Sequence, residues 1–225
     1  MGKTTFKKLL ERWFKPRFAI FYPFAAYVIL RANMTDTSLQ WGIWFLLFGL
    51  GIRIWANGYA IKTAQLTTCG PYRFVRHPLY LGTFMIVVGL IILLQQWIWG
   101  GLLLVLILST YPRTIRKEEE LLENRFADEY REYKKHVAAF FPRFSGYTGT
   151  EAWPFSFRRL FRSQEYKLSF WIIIVVLFFY VKDKMIIEKE GFTTAVIIAI
   201  AAAVCLALLD LVGEFLRKHI AAPEK

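Results

Sequence analysis

The sequence predicts an all-α fold: a polytopic helical membrane protein of about six transmembrane segments, with a helical polar block between the fourth and fifth. Three observations predict it. Of the 225 residues, 56% are hydrophobic and 18% aromatic against 20% charged, and the mean hydropathy is positive. The run from Pro78 to Pro112 covers 35 residues without an Asp, Glu, Lys, Arg or His. As one helix it would measure about 52 Å against a hydrocarbon core of about 30 Å, so it suits two short spans joined by a turn. The placement of Lys and Arg then sorts the links between spans into two sides. Together these exclude a soluble globular domain, a disordered chain, a collagen-like chain and a disulfide-stapled secreted module.

The elements follow in order. Phe18 to Leu30 is a short first span carrying Pro23. Leu39 to about Ile61 is the second, interrupted by Arg53. Leu79 to Tyr111 holds the third and fourth, with Gln95, Gln96, Gly100 and Gly101 marking the turn. Leu168 to Val181 and Phe192 to Leu209 are the last two. The polar block runs from Arg113 to Lys167, and its end, Trp153 to Lys167, has the Arg and aromatic content of a segment lying at the interface. Residues 1–167 form a core, and 168–225 an appended hairpin and tail.

Charge gives the orientation. Six basic residues precede the first span (Lys3, Lys7, Lys8, Arg12, Lys15, Arg17), and Lys62, Arg73 and Arg76 lie between the second and third. Twelve lie in the polar block, and Arg217, Lys218 and Lys225 in the tail. With six spans, 24 of the 29 fall on the cytoplasmic side, with both termini. The expectation is an integral membrane protein, in the plasma membrane of a prokaryotic cell, whose net charge of +12 serves topology and anionic lipid rather than nucleic acid. Cys69 and Cys205 have neither metal-ligand spacing nor a disulfide framework. The N-terminus lacks the short apolar core and small-residue site of a cleavable signal.

Three constellations can carry chemistry. In the link Gly70-Pro71-Tyr72-Arg73-Phe74-Val75-Arg76-His77-Pro78-Leu79-Tyr80-Leu81-Gly82, Gly70-Pro71 forces a turn and Pro78 opens a helix. Arg76 and His77 then sit before that helix's N-terminus, where an anionic group is favoured. Tyr80 offers a hydroxyl and Gly82 close backbone approach. The plainer reading is a basic topology signal with an interfacial Tyr, at about equal weight.

The second is Glu118-Glu119-Glu120 at the start of a helix. At about 100° per residue, Leu122, Phe126, Tyr130, Tyr133 and Val137 share one stripe. Glu119 lies near its centre, Glu118 at its edge, and Glu120 points away. A carboxylate on a buried face needs a cation or hydrogen bonds. Capping and solvation suffice for Glu120 and Glu123, not for Glu119. The third is Arg53, a charge inside a span, with Asn57 a turn further on the same face. A partner among Glu118 and Glu119 would neutralise it, while snorkelling is the plainer account.

At these positions the chain resembles the isoprenylcysteine carboxyl methyltransferase and phospholipid methyltransferase group. The resemblance rests on Gly70-Pro71-Tyr72, on Arg76-His77-Pro78-Leu79-Tyr80-Leu81-Gly82, and on Glu118-Glu119 with Leu122, Phe126, Glu129-Tyr130, Tyr133 and Val137. Arg53-Ile54-Trp55-Ala56 resembles bacterial members, and the whole covers roughly residues 40 to 144. It implies an integral-membrane methyltransferase using S-adenosyl-L-methionine in a cytoplasm-facing pocket, with a lipid or prenylated small acceptor. Gly70, Tyr72, Arg76, His77, Pro78, Tyr80, Gly82, Glu118 and Glu119 are the implied donor-binding residues. Arg76 and His77 suit the donor's carboxylate, Glu118 and Glu119 its amino group and sulfonium, and Tyr72 or Tyr80 its adenine.

Chemistry at the acceptor is expected of Glu119, Tyr130 and Arg143. A carboxylate acceptor needs no base, whereas an amine must first lose a proton. The glutamates and Tyr130 or Tyr133 are the available bases. Arg143 or Arg113 can hold an anionic acceptor, though lipid head-group contact is the plainer role for both. Two features depart from the group: Val137-Ala138-Ala139-Phe140-Phe141-Pro142-Arg143 replaces the usual Val-Pro, and Ala127 stands where Gly is common. The hairpin after Leu168 has no counterpart in the group's compact core and is a candidate surface for the acceptor or for a second copy. The rival readings are a membrane reductase of the sterol-reductase type using NADPH, and a non-catalytic scaffold or transporter.

Overall fold

The computed structural model of the protein describes residues 21–61, 65–143, 146–147 and 153–220. The expected basic N-terminal segment (Lys3 to Arg17), Lys62 and Lys225 lie outside them. Among the described residues are seven α-helices and no strand: α1 Phe21–Arg31, α2 Asp36–Tyr59, α3 Pro78–Leu94, α4 Trp97–His136, α5 Phe157–Ser163, α6 Glu165–Lys182 and α7 Thr194–Ile220. Three of these, α2, α4 and α7, are long and apolar enough to cross a membrane. The other expected spans fall on α1, α3 and α6, which are helical but shorter or more charged; α6 carries Glu165, Lys167 and Lys182.

Helix α2 starts at an N-cap, where Thr35 Oγ1 accepts from Ser38 N at 3.2 Å. It packs along α3 through two reciprocal glycine contacts. A Cβ added at Gly49 would lie 2.6 Å from Gly82 O, and one at Gly82 would lie 2.9 Å from Gly49 O. Gly42 and Gly89 meet in the same way one heptad away, so the backbones touch. Below this seam lies a core of Leu46, Leu50, Ile86 and Leu93, joined by Ala32 and Met34 and by Val176 and Phe179 of α6.

The turn between α3 and α4 is tighter than the sequence predicts. Gln95 takes a left-handed conformation (φ 51°) and α4 begins at Trp97. Gly100 and Gly101 are therefore helical, and Gly100 makes room for Ile91. Helix α4 is also longer than expected. It passes through Pro112, so Glu118 to Glu120 lie in mid-helix rather than at a helix start, and N-terminal capping is no account of them. Its real break is at Ala127, whose φ of 41° and ψ of −113° are non-helical.

The segment leading into the C-terminal hairpin and the hairpin itself are both tied to the helices before them. Trp153 Nε1 donates to Tyr59 O (2.9 Å) and Arg159 Nε to Gly58 O (3.0 Å), which satisfies carbonyls at the end of α2. At the far end, Asp183 is buried, accepts from Met34 N and pairs with Lys182 Nζ at 2.9 Å. Lys167 joins α6 to α7 through Glu214 (2.6 Å).

Candidate active site

The link before α3 and the return after α4 are laced together by backbone. Arg76 N donates to Ala138 O (2.9 Å), His77 N to Ala139 O (3.1 Å), Arg143 N to Phe74 O (2.9 Å) and Tyr147 N to Arg73 O (2.9 Å). Tyr133 Oη donates to Tyr72 O at 2.7 Å. The α3–α4 pair returns the chain to the end it left, and the bend at Ala127 folds the remaining turns over that end. Leu66, Tyr130, Tyr133 and Val137 then form a small core with Leu122 and Phe126 against it.

Inside this closure sits a cluster of charges. Glu119 is 9% exposed, as its place on the stripe predicts, while Glu118 keeps 49% of its side chain exposed and Glu120 faces out. Arg76 donates to Glu119 Oε1 from Nη2 (2.6 Å) and Nε (3.0 Å). Lys134 Nζ reaches Glu119 Oε2 at 3.0 Å. His77 lies between the two carboxylates, with Nε2 at 3.4 Å from Glu119 Oε1 and Nδ1 at 3.6 Å from Glu118 Oε2. Burial works to raise the Glu119 carboxyl, but hydrogen bonds from His77, Arg76 and Lys134 outweigh it and hold it down at about 2. Burial works to lower His77, but hydrogen bonds to Glu118 and Glu119 prevail and raise it above the ordinary histidine value. The hydrogen bond with His77 lowers Glu118.

Two adjoining cavities open beside the cluster, of about 510 Å³ and about 230 Å³. They share a wall of Tyr72, Arg76, His77, Leu79 and Glu118. The larger lobe adds Leu66, Leu122, Phe126, Tyr130 and Tyr133, and the smaller adds Arg53, Pro78, Tyr80 and Thr83. The Tyr130 hydroxyl is buried and has no hydrogen-bond partner among the described residues. Burial raises Tyr72, Tyr130 and Tyr133, so all three stay phenolic.

The structure thus brings Tyr72, Arg76, His77, Pro78, Tyr80, Glu118 and Tyr130 to the cavity walls. Glu119 lies behind the wall and touches the cavity through Arg76 and His77. Gly70 (φ 61°) forms a turn against the Tyr59 ring, Gly82 forms part of the α2–α3 seam, and Arg143 is exposed near the carbonyls of Lys135 and His136. Arg53 requires a correction: its carboxylate partner is not Glu118 or Glu119 but Glu165, at the start of α6. Its other amine donates to Thr83 Oγ1 (2.6 Å) and Leu79 O (3.3 Å). Sequence reasoning missed Lys134, Thr83 and Glu165. The one available signal was an acidic residue opening an apolar span in a chain with an intramembrane arginine to neutralise.

Residues 39–129 match the family described as phospholipid methyltransferase. The matched segment makes up 91 of the 225 residues. It contains α2 from Leu39, all of α3, and α4 as far as Glu129, and so supplies Arg76, His77, Glu118 and Glu119 to the site. Tyr130, Tyr133 and Lys134 lie just beyond it. Three relatives are similar over part of their length. Nickel-cobalt-cadmium resistance protein NccN of Alcaligenes xylosoxydans xylosoxydans is 37% identical over 95 residues, 41% of this chain and 44% of its own. Cobalt-zinc-cadmium resistance protein CzcN of Cupriavidus metallidurans is 35% identical over 103 residues, 45% and 47%. Protein-S-isoprenylcysteine O-methyltransferase of Schizosaccharomyces pombe is 34% identical over 81 residues, 36% and 34%. The matched stretch covers less than half of each of these relatives. No solved structure matches.

Proposed function

We propose that the protein is an integral-membrane methyltransferase that uses S-adenosyl-L-methionine and acts on a lipid or isoprenoid acceptor at the cytoplasmic face. In this reading α1, α2, α3, the apolar half of α4, α6 and α7 are the six membrane segments, and both termini are cytoplasmic. One observation carries the proposal: the two-lobed cavity whose shared wall presents Arg76 and His77 beside Glu118.

The residues fit the donor. Its carboxylate matches Arg76 and His77, and its ammonium and sulfonium match Glu118. Phe126, Tyr133 and Leu122 offer the flat apolar wall an adenine needs. The buried Tyr130 hydroxyl, without a partner among the described residues, supplies a polar atom in that wall. The larger lobe falls within the range of about 300 to 1,000 Å³ usual for ligand sites.

When bound, the sulfonium supplies an electrophilic methyl that passes to an acceptor lone pair as the carbon–sulfur bond breaks and a neutral thioether leaves. The protein's own part is proximity and orientation. Glu119 acts as a positioning residue, holding Arg76 and His77 in place without reaching the cavity. Lys134 balances the second oxygen of that carboxylate. The bend at Ala127 closes Tyr130 and Tyr133 over the donor and excludes water.

The test is transfer of labelled methyl from the donor into the lipids of membranes that hold the protein. Label in the organic phase, lost in His77→Ala, supports the reading. Label confined to the aqueous phase, or equal in His77→Ala, overturns it.

A further inference from the structure

We infer that α5 is a docking site for one anionic phospholipid, whose phosphate sits on Arg158 and Arg162 and whose acyl chain lies along the aromatic face of α6. The inference goes beyond the methyltransferase reading and does not depend on it.

The three arginines of α5 are not equivalent in space. Arg159 turns inward, where Nε donates to Gly58 O (3.0 Å) and an amine to Pro154 O. Leu160 is buried on the same side. Both ends of the helix are fixed as well. Ser156 Oγ accepts from Arg159 N at 3.4 Å, and Gln164 takes a left-handed conformation (φ 59°). The outer face carries Phe157, Arg158, Phe161 and Arg162, all exposed, the two rings by 68% and 60%. Residues four apart are neighbours on a helix, so the two arginines stand side by side, and so do the two rings.

No hydrogen bond or ion pair links Arg158 or Arg162 to another described residue. The carboxylates of the adjoining helices are committed elsewhere: Glu165 to Arg53, and Glu214 and Asp210 to Lys167 (2.6 and 3.7 Å). The pair Arg131 and Lys135 makes the contrast. It too is exposed and one turn apart, but Arg131 meets Glu123 (2.9 Å) and Lys135 meets Glu132 (2.8 Å). Two adjacent guanidiniums with no carboxylate of their own suit a phosphate.

The level of α5 selects the source of that phosphate. The helix packs on the last residues of α2 and runs directly into α6, so its arginines lie where apolar helices end and head groups begin. From Phe161 an edge-to-face ladder runs along α6, to Tyr166 (5.4 Å) and on to Phe170 (5.6 Å), beside the exposed Trp171. Cations at the head of an exposed aromatic track match a lipid with a negative head group. A soluble anion or an acidic protein surface would meet the arginines and leave the track uncovered.

The test uses the full chain in phosphatidylcholine nanodiscs with a trace of phosphatidylglycerol that carries a photoreactive diazirine on one acyl chain. Illumination should label residues 157–171. Unlabelled phosphatidylglycerol should suppress the label at least about tenfold more effectively than added phosphatidylcholine. Arg158→Gln with Arg162→Gln should lower the label at least about tenfold, and Arg158→Lys with Arg162→Lys, which keeps the charge, should retain most of it. Arg131→Gln with Lys135→Gln removes the same charge elsewhere and should leave the label unchanged. Glycerophosphoglycerol, the soluble head group, should not compete. Label spread evenly over the apolar helices would overturn the proposal. So would an equal loss in the Arg131 and Lys135 pair, or equal suppression by phosphatidylcholine or by the soluble head group. No methyl donor enters the measurement, so its outcome is separate from that of the methyl-transfer assay.

Discussion

At the scale of single residues, the site is governed by His77 between two carboxylates. Its raised affinity for a proton has a definite sign in stability. The contribution of the protonated pair is complete below the unfolded histidine value of about 6.5. It is lost as pH rises through the higher folded value. Glu119 works the other way: its contribution is present above about 4.3, the unfolded value, and is lost as pH falls toward about 2. The cluster is therefore strongest between about pH 4.5 and 6.5. NMR of labelled histidine should place the His77 midpoint above about 6.5, and Glu118→Gln should lower it. A midpoint at or below the ordinary value, or one that does not move, contradicts the geometry. Ala127 is the other residue of consequence. A side chain at φ 41° and ψ −113° stores about 1 to 3 kcal/mol of strain. Ala127→Gly should gain about 1 kcal/mol and raise the melting temperature by about 3 °C. A lowered melting temperature would mean that the bend is not strained.

At the scale of elements, the α2–α3 seam decides whether the site exists, because Arg53 and Arg76 reach it from either side of that contact. Gly49→Ala would set a methyl 2.6 Å from a carbonyl oxygen that cannot move without its helix, and should cost about 1 to 3 kcal/mol. Gly51→Ala meets nothing within 4 Å and should stabilise by about 0.5 to 1 kcal/mol through helix propensity. Opposite shifts of the two melting temperatures check the seam; equal shifts contradict it. Periodicity made the helices legible, and it also placed Glu119 inside and Glu120 outside. It misjudged α4, because Pro112 followed by charge reads as the end of a span. A helix leaving the apolar layer can bear a missing donor there, and Ser109 and Thr110 already turn their hydroxyls back on Leu106 O (2.8 and 3.0 Å). The reciprocal glycines were not legible as a seam, since one sequence does not say which helices meet.

At the scale of the whole molecule, the C-terminal hairpin is part of the core. Val176 and Phe179 pack with Leu46 and Leu93, Asp183 holds the α1–α2 link, and Glu165 neutralises Arg53. The two signature blocks could be paired from the sequence because a helical hairpin returns the chain to its starting side. The partner of Arg53 could not, because it comes from 112 residues further along the chain. What remains is the donor itself. Calorimetry of the purified full-length protein with S-adenosylmethionine, its homocysteine product and NADPH tests that claim most directly. The account predicts saturable binding of the first two, its loss in His77→Ala and Glu118→Gln, and none of NADPH. Binding of NADPH alone, or of S-adenosylmethionine with both variants unaffected, would contradict it.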